Sequence, residues 1–380
     1  MAKRAKLGVP FNYDDSWIGG TYYIKNLVSA LNLLQDAEKP EIYMLSNGQE
    51  SYDFIRHHTG YPHLQWVRPA TLSGVDGGIF RRLKLKSKLL PSFFKKELQF
   101  DMIFPFPIST DWKQTVCWIP DFPDKRLPEF FSEDELRQRT EQHRYYFENF
   151  NHIVFSSEAA RSDFETFYPE ARVNKHVVHF AVFHERQSQR PAEQVVTELG
   201  LPTRFFYCPN QFWIHKNHDV VIDAVNLLKQ EGTPVTVAFS GKEHDHRAPD
   251  HAESLKRRVA ELGLQDNVRF LGFLSREDQI ALFGRAICIV QPSLFEGWST
   301  VIEDAKSFSQ YVIASDLATN REQISANAEF FEARDARQLA NCMKRYVEVD
   351  PVKVDVDYRS CQLAFARDFM RVLHQVARDA

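Results

Sequence analysis

The sequence has few cysteines, no long apolar run and no excess of charge of one sign. Its five cysteines form no C-x-x-C pair or Cys/His cluster, which argues against a zinc site. No stretch reaches the roughly 18 apolar residues of a membrane span, and the first residues, MAKRAKLGVPF, contain no long apolar segment. We therefore expect reduced core cysteines in a cytoplasmic protein that is neither exported nor membrane-spanning.

The charged residues nearly balance, with 47 Lys and Arg, 51 Asp and Glu, and a net charge of -4. This balance lacks the strongly basic character of nucleic-acid-binding proteins, so no nucleic-acid partner is expected. The sequence also has no clear D-x-D metal clamp between apolar strands, and its histidines are scattered. We expect no catalytic metal and no resident cofactor.

What the sequence does contain is an alternation of short apolar runs with stretches of helical period, over 380 residues. This pattern is typical of βαβ units and parallel sheets, and the length favours two domains. The polar segment 184–202 marks the boundary, which predicts an N-terminal domain over 1–190 and a C-terminal domain over 191–357. A last helix is predicted over 358–380, and its periodicity leaves open whether it packs on the second domain or crosses back to the first.

The most informative segment is QPSLFEGWSTVIEDA, at 291–305, directly after the apolar run AICIV. Thr300 and Glu303 have the spacing of a capping box, so a helix should begin near Thr300. The free N–H groups at such a helix start, together with the helix dipole, favour a phosphate or diphosphate. Glu296, in the glycine turn, could accept hydrogen bonds from sugar hydroxyls or satisfy N–H groups of the turn. The sequence around Glu296 fits both roles equally.

A second loop of the same kind, PNQFWIHKNH at 209–218, follows the apolar run RFFYC. Lys216 stands where its ammonium could reach a diphosphate, although an isolated lysine of this kind is more often a solvated surface residue. Two loops of this type at strand ends of one domain favour the functional interpretation, because ligands of open α/β sheets bind at the carboxyl ends of strands.

The second half of the chain resembles the nucleotide-binding half of the retaining glycosyltransferases of family four, which have the GT-B fold. Their signature, commonly E-G-F-G-x-x-x-x-E-A followed by a V-I-A-S strand, is similar to EGWSTVIEDA and YVIAS here. Without gaps, the second acid of the signature falls on Asp304, and Glu303 is the neighbouring alternative. NVRFLGFLSREDQIALF and IASDLATNREQI also resemble family segments, so the resemblance covers about 207–331.

The resemblance implies two Rossmann-like, doubly wound domains facing a central cleft, and it assigns roles to individual residues. Lys216 would bind the donor diphosphate, Glu296 would hold the transferred sugar, and Asp304 or Glu303 would bind the ribose. The backbone of Gly297, Trp298, Ser299 and Thr300 would cradle the diphosphate, and Gly272, Phe273 and Leu274 would line the nucleobase. The arginine that the family usually carries five residues before its lysine is Gln211 here, so Asn210 or Gln211 would act as neutral donors.

The first half offers fewer candidates. Gly19 and Gly20 allow close backbone approach just before a predicted helix, where family members place a glycine loop near the donor phosphates and the acceptor. An ordinary strand-to-helix turn explains the same pair. Asp121 follows a predicted strand where family members often carry a His-Asp pair, but Pro120 replaces the histidine. Asp121 therefore stays open between an acceptor-side catalytic residue and a turn cap before Pro123.

The segment Phe80–Lys96 carries seven basic side chains, no acids and interleaved Leu and Phe. It fits equally a solvated helix face and a stretch that lies on an anionic membrane. The second interpretation would place the protein peripherally on the inner membrane face, with a lipid-linked acceptor.

The sequence thus predicts a retaining, metal-independent glycosyltransferase that moves a hexose-type sugar from a UDP- or GDP-linked donor to a saccharide acceptor in surface polysaccharide synthesis. Two alternatives stay open. One is a GT-B-like nucleotide-sugar epimerase, which needs no acceptor, and the other is an inactive nucleotide-sugar-binding scaffold.

Overall fold

The computed structural model describes residues 4–13, 18–68, 99–184, 190–245 and 247–379. The chain divides into two compact units. The first unit comprises 1–124, 132–185 and 359–380, and the second comprises 125–131 and 186–358. The second unit thus begins a few residues before the predicted cut at 190, and the last helix groups with the first unit.

The first unit contains two parallel sheets. One has the order β3-β2-β1-β4 and the other the order β5-β6-β7, and a single bridge between Ile103 and Thr115 joins β4 to the segment before β5. The strands are β1 (Lys6–Pro10), β2 (Glu41–Leu45), β3 (Leu64–Val67), β4 (Met102–Ile103), β5 (Val116–Ile119), β6 (His152–Phe155) and β7 (Asn174–Val177). Its helices include α1 (Ile18–Leu31), α2 (Gln49–Thr59), α4 (Glu133–Asn149) and α5 (Glu158–Phe167). Helix α3 (Pro123–Arg126) begins in the first unit and ends in the segment 125–131 of the second.

The second unit is one six-stranded parallel sheet with the order β10-β9-β8-β11-β12-β13. The strands are β8 (Phe206–Cys208), β9 (Val237–Phe239), β10 (Val268–Phe270), β11 (Ile289–Gln291), β12 (Val312–Ser315) and β13 (Ala328–Phe331). The helices are α6 (Ala192–Glu198), α7 (His218–Gln230), α8 (His251–Glu261), α9 (Arg276–Arg285), α10 (Thr300–Ser307), α11 (Ala318–Gln323) and α12 (Ala336–Lys344). The strand order reverses between β8 and β11, which makes this point the topological switch point.

The burial of β8 and of the preceding residue, Phe205, shows that the second sheet is covered on both faces. Phe206 and Cys208 belong to one buried core cluster, while Phe205 and Tyr207 belong to another. Because side chains of a strand alternate between the two faces of a sheet, the two clusters lie on opposite faces. The predicted α/β class with doubly wound parallel sheets is therefore confirmed.

Three strands, β3, β7 and β13, lack the short apolar runs from which the sequence analysis expects strands. Each is an edge strand, and each contains half-buried or exposed positions as well as polar residues. A strand at the edge of a sheet needs no continuous apolar run, so the apolar pattern that marks the central strands is missing.

The last helix, α13 (Tyr358–Asp379), is anchored by aromatic side chains within the first unit. Phe365, Phe369 and Leu373 are fully buried, whereas Leu363 is only half-buried. The ring of Phe369 packs edge-on against Phe104 with 5.1 Å between centroids. Three of these four apolar side chains therefore lie in the core.

Candidate functional site

The switch point of the second unit is occupied by a pair of buried amides. Asn210 follows β8, Gln291 ends β11, and the Asn210 Nδ2 donates to Gln291 Oε1 at 3.0 Å. Both side chains are almost inaccessible to solvent. Gly241, after β9, is required here because a Cβ at that position would lie 2.2 Å from the carbonyl oxygen of Asn210. The segments after β8 and β9 and the end of β11 are thus held together by the amide hydrogen bond and by the close backbone approach at Gly241.

Lys216 and Glu296, predicted from two separate loops, form a partly buried ion pair. The Lys216 Nζ lies 2.6 Å from Glu296 Oε1, and Gln291 Nε2 donates to the same oxygen at 2.7 Å. The side chains of Lys216 and Glu296 are 14% and 8% exposed. The Leu294 N–H donates to the His215 carbonyl at 2.8 Å and joins the two loops through their backbones.

Asn217 explains how the loop after β8 presents Lys216. It adopts the left-handed conformation, with φ 57°, which asparagine tolerates better than most residues. Its Nδ2 donates to the carbonyls of Pro292 and Ala333 at 2.9 and 2.7 Å. The turn is thereby held against the segment after β11, and Lys216, the preceding residue, is directed to Glu296.

Two histidines flank Lys216 in sequence, and both are neutral at pH 7. Burial, followed by the charges of Lys216 and Arg247, holds the pKa of His215 well below its ordinary value. Burial chiefly lowers the pKa of His218 to about 3, and its ring stacks on Phe212 at 4.6 Å. Lys216 is therefore the one cationic side chain in the segment 209–218.

The start of α10 lies where the sequence predicts it, at Thr300, but the capping residue is different. Ser299 is the N-cap, and its hydroxyl accepts from the Ile302 N–H. The predicted capping box of Thr300 and Glu303 is wrong, because the third helical residue is Ile302 and Glu303 points elsewhere.

Gln323 of α11 holds the start of α10 from the side. Its Oε1 accepts from the Ser299 N–H at 2.9 Å, and its Nε2 donates to the Ser299 carbonyl at 2.7 Å. The Ser299 amide, predicted to help cradle a diphosphate, is therefore already bonded in this structure. The backbone of Gly297, Trp298 and Thr300 is left to supply that contact.

The two candidate ribose acids have different surroundings. Glu303 is 1% exposed and bonds to Lys306 at 2.8 Å, to Gln323 at 3.0 Å and to the Tyr358 hydroxyl at 2.6 Å. Asp304 pairs with Arg276, the first residue of α9. Glu303 is thus committed to an internal network, whereas Asp304 lies beside the segment that leads into α9. Its partner Arg276 follows the predicted nucleobase segment, 272–274, by two residues.

That segment, 272–274, contributes one exposed ring. Phe273 is 59% exposed, and the Lys242 ammonium lies 5.4 Å from its ring centroid. The Gly272 carbonyl accepts from the Gly241 N–H at 2.9 Å. Leu274 packs in the core of the second unit, so its side chain does not line an open surface.

The remaining candidates lie in the first unit, beside Asn210 in the second unit, or outside the described residues. Gly19 and Gly20 lie in the first turn of α1, not before it as predicted. Asp121 comes two residues after β5 and is half-buried. Gln211, in the second unit, is half-buried beside Asn210. The basic segment Phe80–Lys96 lies outside the described residues.

Asn210 and Gln291 show what the sequence reasoning missed. Asn210 was predicted to contact phosphate, but its Nδ2 is committed to the buried side chain of Gln291 and to Cys208 Sγ. Gln291 and Gln323 were not singled out at all. Each of these amides lies at or just after the end of an apolar or helical run. A polar residue at such a position indicates a structural role, because a buried amide needs hydrogen-bond partners.

Within the described ranges, no group of three or more His, Cys, Asp or Glu side chains is placed to hold a metal ion. None of the helices in that part of the chain is both long and apolar enough to cross a bilayer.

Residues 190–359 match the family model of glycosyl transferases group 1. The serotype-specific mannosyltransferase WbdA of Escherichia coli is 25% identical over 152 residues, which are 39% of this chain and 18% of WbdA. The O-antigen chain mannosyltransferase RfbU of Salmonella typhimurium is 30% identical over 95 residues, 25% of this chain and 27% of RfbU. The chain thus matches less than a third of the length of either relative.

Solved structures match over almost the whole chain. A glycosyltransferase from Rickettsia africae has a TM-score of 0.64 at 14% identity, covering 100% of this chain and 99% of its own. Anabaena HepE, in complex with UDP and glucose, has a TM-score of 0.62 at 15% identity, covering 99% and 98%. At these identities the likeness defines the fold, which is GT-B.

Proposed function

We propose that this chain is a retaining glycosyltransferase that transfers a hexose-type sugar from a nucleotide-sugar to a saccharide acceptor without a metal ion. The observation that carries the proposal is the ion pair of Lys216 and Glu296, 2.6 Å apart, at the switch point of the second sheet and beside the start of α10. One cation, one carboxylate and a helix N-terminus at this position match the charges of a diphosphate linked to a sugar.

In this proposal Lys216 leaves Glu296 and binds the diphosphate, which gives the leaving group a charge-assisted contact. The N–H groups of Gly297, Trp298 and Thr300 add preorganised donors as negative charge develops on the departing phosphate. Glu296 then faces the sugar, where its carboxylate stabilises the oxocarbenium-like transition state. Asp304 binds the ribose, and the backbone of 272–273 together with the Phe273 ring contacts the base.

The bond from the sugar C1 to the diphosphate oxygen breaks while the acceptor oxygen bonds to C1 on the same face. The acceptor proton passes to the departing phosphate oxygen, so the products are the glycosylated acceptor and a nucleoside diphosphate. In the first unit, Gly19 and Gly20 stay candidates for contact with the donor phosphates and the acceptor, and Asp121 is the acceptor-side candidate.

The proposed donor is a hexose linked to UDP or GDP. WbdA and RfbU are named as mannosyltransferases, and HepE is described with UDP-glucose. RfbU is also named for O-antigen chains, which supports a saccharide acceptor in surface polysaccharide synthesis. GDP-mannose and UDP-glucose are therefore the first donors to test.

The test is isothermal titration calorimetry of the whole chain with UDP, GDP, UDP-glucose and GDP-mannose, followed by transfer assays with and without EDTA. We expect one donor to bind tightly and transfer to proceed in EDTA with the anomeric configuration retained. A chain that binds none of the four ligands would contradict the proposal. Turnover of donor without acceptor would favour the epimerase alternative, and binding without any turnover would favour the scaffold.

A further inference from the structure

The side chain of Gln291 is fully buried, and its amide is hydrogen-bonded on both sides. Its Nε2 donates to Glu296 Oε1 at 2.7 Å and to Ser293 Oγ at 3.1 Å, while its Oε1 accepts from Asn210 at 3.0 Å. A flipped amide would place Oε1 against a carboxylate oxygen and Nε2 against the Asn210 amide nitrogen. The surrounding residues therefore permit one orientation, with the donor group facing Glu296.

The two oxygens of Glu296 have different surroundings. Lys216 and Gln291 both bond to Oε1, and no hydrogen bond within the described ranges reaches Oε2. The backbone of the same residue is fixed as well, because Thr319 Oγ1 donates to the Glu296 carbonyl at 3.0 Å. One oxygen is thus held by the protein and the other is left for a ligand.

On the basis of the proposed function, Lys216 turns to the diphosphate when donor binds, and Oε1 then loses its charged partner. The contact from Gln291 is unaffected, because Gln291 is buried and held by Asn210 and Ser293. We propose that Gln291 is a positioning residue, which keeps Oε1 of Glu296 bound to the protein and Oε2 directed to the donor sugar after Lys216 has moved.

The first variant is Gln291→Met, which keeps the length of the side chain and removes its donor. A hydrogen bond to a charged group contributes about 1.5 to 3 kcal/mol, which corresponds to a fall of roughly 10- to 100-fold in kcat. We expect KM for the donor to change little. The affinity for free UDP or GDP, which has no sugar, should stay within about threefold of the parent, since Lys216 is intact.

The matched control is Gln310→Met. Gln310 is buried in the same unit, and its amide bonds to the carbonyls of Phe283 and Ala286 and to the Tyr311 N–H, away from the switch point. Both variants should lose similar thermal stability, but only Gln291→Met should lower kcat. Equal kcat in Gln291→Met and the parent, or an equal loss in the two variants, would overturn the proposal.

Gln291→Glu provides a second test, which can be carried out even if Gln291→Met does not fold. Its oxygen still accepts from Asn210, but a second carboxylate now meets Oε1 of Glu296. Two adjacent carboxylates share a proton as the pH falls, and the protonated group can donate to Oε1. The activity of Gln291→Glu relative to the parent should rise several-fold from about pH 8 to about pH 6, and a flat ratio would overturn the proposal.

The failure of this inference differs from the failure of the proposed function. If the parent chain binds no nucleotide and transfers no sugar, the proposed function fails. If the parent transfers sugar and the Gln291 variants behave like the Gln310 control, only the role of Gln291 is overturned.

Discussion

The carboxyl ends of the strands are built differently in the two units. In the first unit, the end of β5 and the segment after β4 carry aromatic rings, with Trp118 stacked on Tyr23 at 4.0 Å and Phe104 against Phe369. In the second unit, the ends of β8 and β11 carry amides and an ion pair. The same parallel-sheet geometry thus supports an apolar cluster in one unit and a buried polar network in the other.

The difference matters because aromatic contacts and polar networks stabilise a protein in different ways. Buried aromatic rings stabilise a unit mainly through the hydrophobic effect, which is non-directional and scales with the buried apolar area. A buried polar network is costly unless every group is paired, and it fixes the positions of its members. We infer that substitutions in the aromatic cluster change stability, whereas substitutions at the polar network change ligand binding and catalysis.

The largest effect is expected for Phe369→Ala in α13. Phe369 is fully buried against Phe104, and truncation of a core phenylalanine costs about 3 to 5 kcal/mol of unfolding free energy. Urea titration should detect the loss, and calorimetry on the folded protein should give an unchanged affinity for UDP or GDP. A weaker affinity without a loss of stability would break the proposed division of roles.

Glu296→Gln tests the buried polar network of the second unit. The substitution preserves the shape of the side chain but removes its charge, so the transition state loses electrostatic stabilisation. By analogy with the removal of one transition-state-stabilising group, we expect transfer to slow by about 100- to 1,000-fold. Steady-state transfer assays measure this, with nucleotide affinity as the control. A variant with parental activity would show that Glu296 has no part in catalysis.

Lys216→Met removes the one cation of the segment 209–218. The affinity for UDP or GDP should fall about 100-fold, and its dependence on salt should weaken because a charge-assisted contact is lost. Lys306→Met is the matched control, since Lys306 pairs with Glu303 at 2.8 Å in the same unit. Similar nucleotide affinities in the two variants would argue against Lys216 as the diphosphate ligand.

The smallest effect concerns His218 and pH. Its folded pKa of about 3 lies below the ordinary 6.5, so the unfolded chain binds a proton that the folded chain does not. The contribution of neutral His218 to the free energy of unfolding is complete above about pH 6.5 and is smaller by about 2 kcal/mol at pH 5. Urea titrations of the parent and His218→Phe across this range should show a shallower pH dependence in the variant, and identical slopes would contradict this.

His176 extends the same comparison to the first unit. Its imidazole is half-buried, lies 3.0 Å from the His152 ring, and has a pKa lowered to about 4, chiefly by desolvation. Each unit therefore contains a neutral histidine that opposes folding in acid. If unit-resolved probes show acid destabilisation of one unit only, the larger shift at His218 predicts that it is the second.

Much of the second unit could be predicted because its central strands are buried on both faces and read as apolar runs. The same property located the loops with Lys216 and Glu296, since each loop directly follows such a run. The edge strands β3, β7 and β13 were missed because their sequences are mixed. The cap at Ser299 was missed because two adjacent hydroxyl residues, Ser299 and Thr300, both suit a helix start.

The sequence by itself determined the α/β class, the resemblance of 207–331 to a glycosyltransferase family and the two loops that carry charge. Only the tertiary structure decided which groups meet. Lys216 and Glu296 are 80 residues apart in sequence, and their contact depends on β8 and β11 being neighbours in the sheet. The roles of Asn210, Gln291 and Glu303 were likewise decided by the fold, because the hydrogen-bond partners of a buried polar group come from whatever segments pack around it.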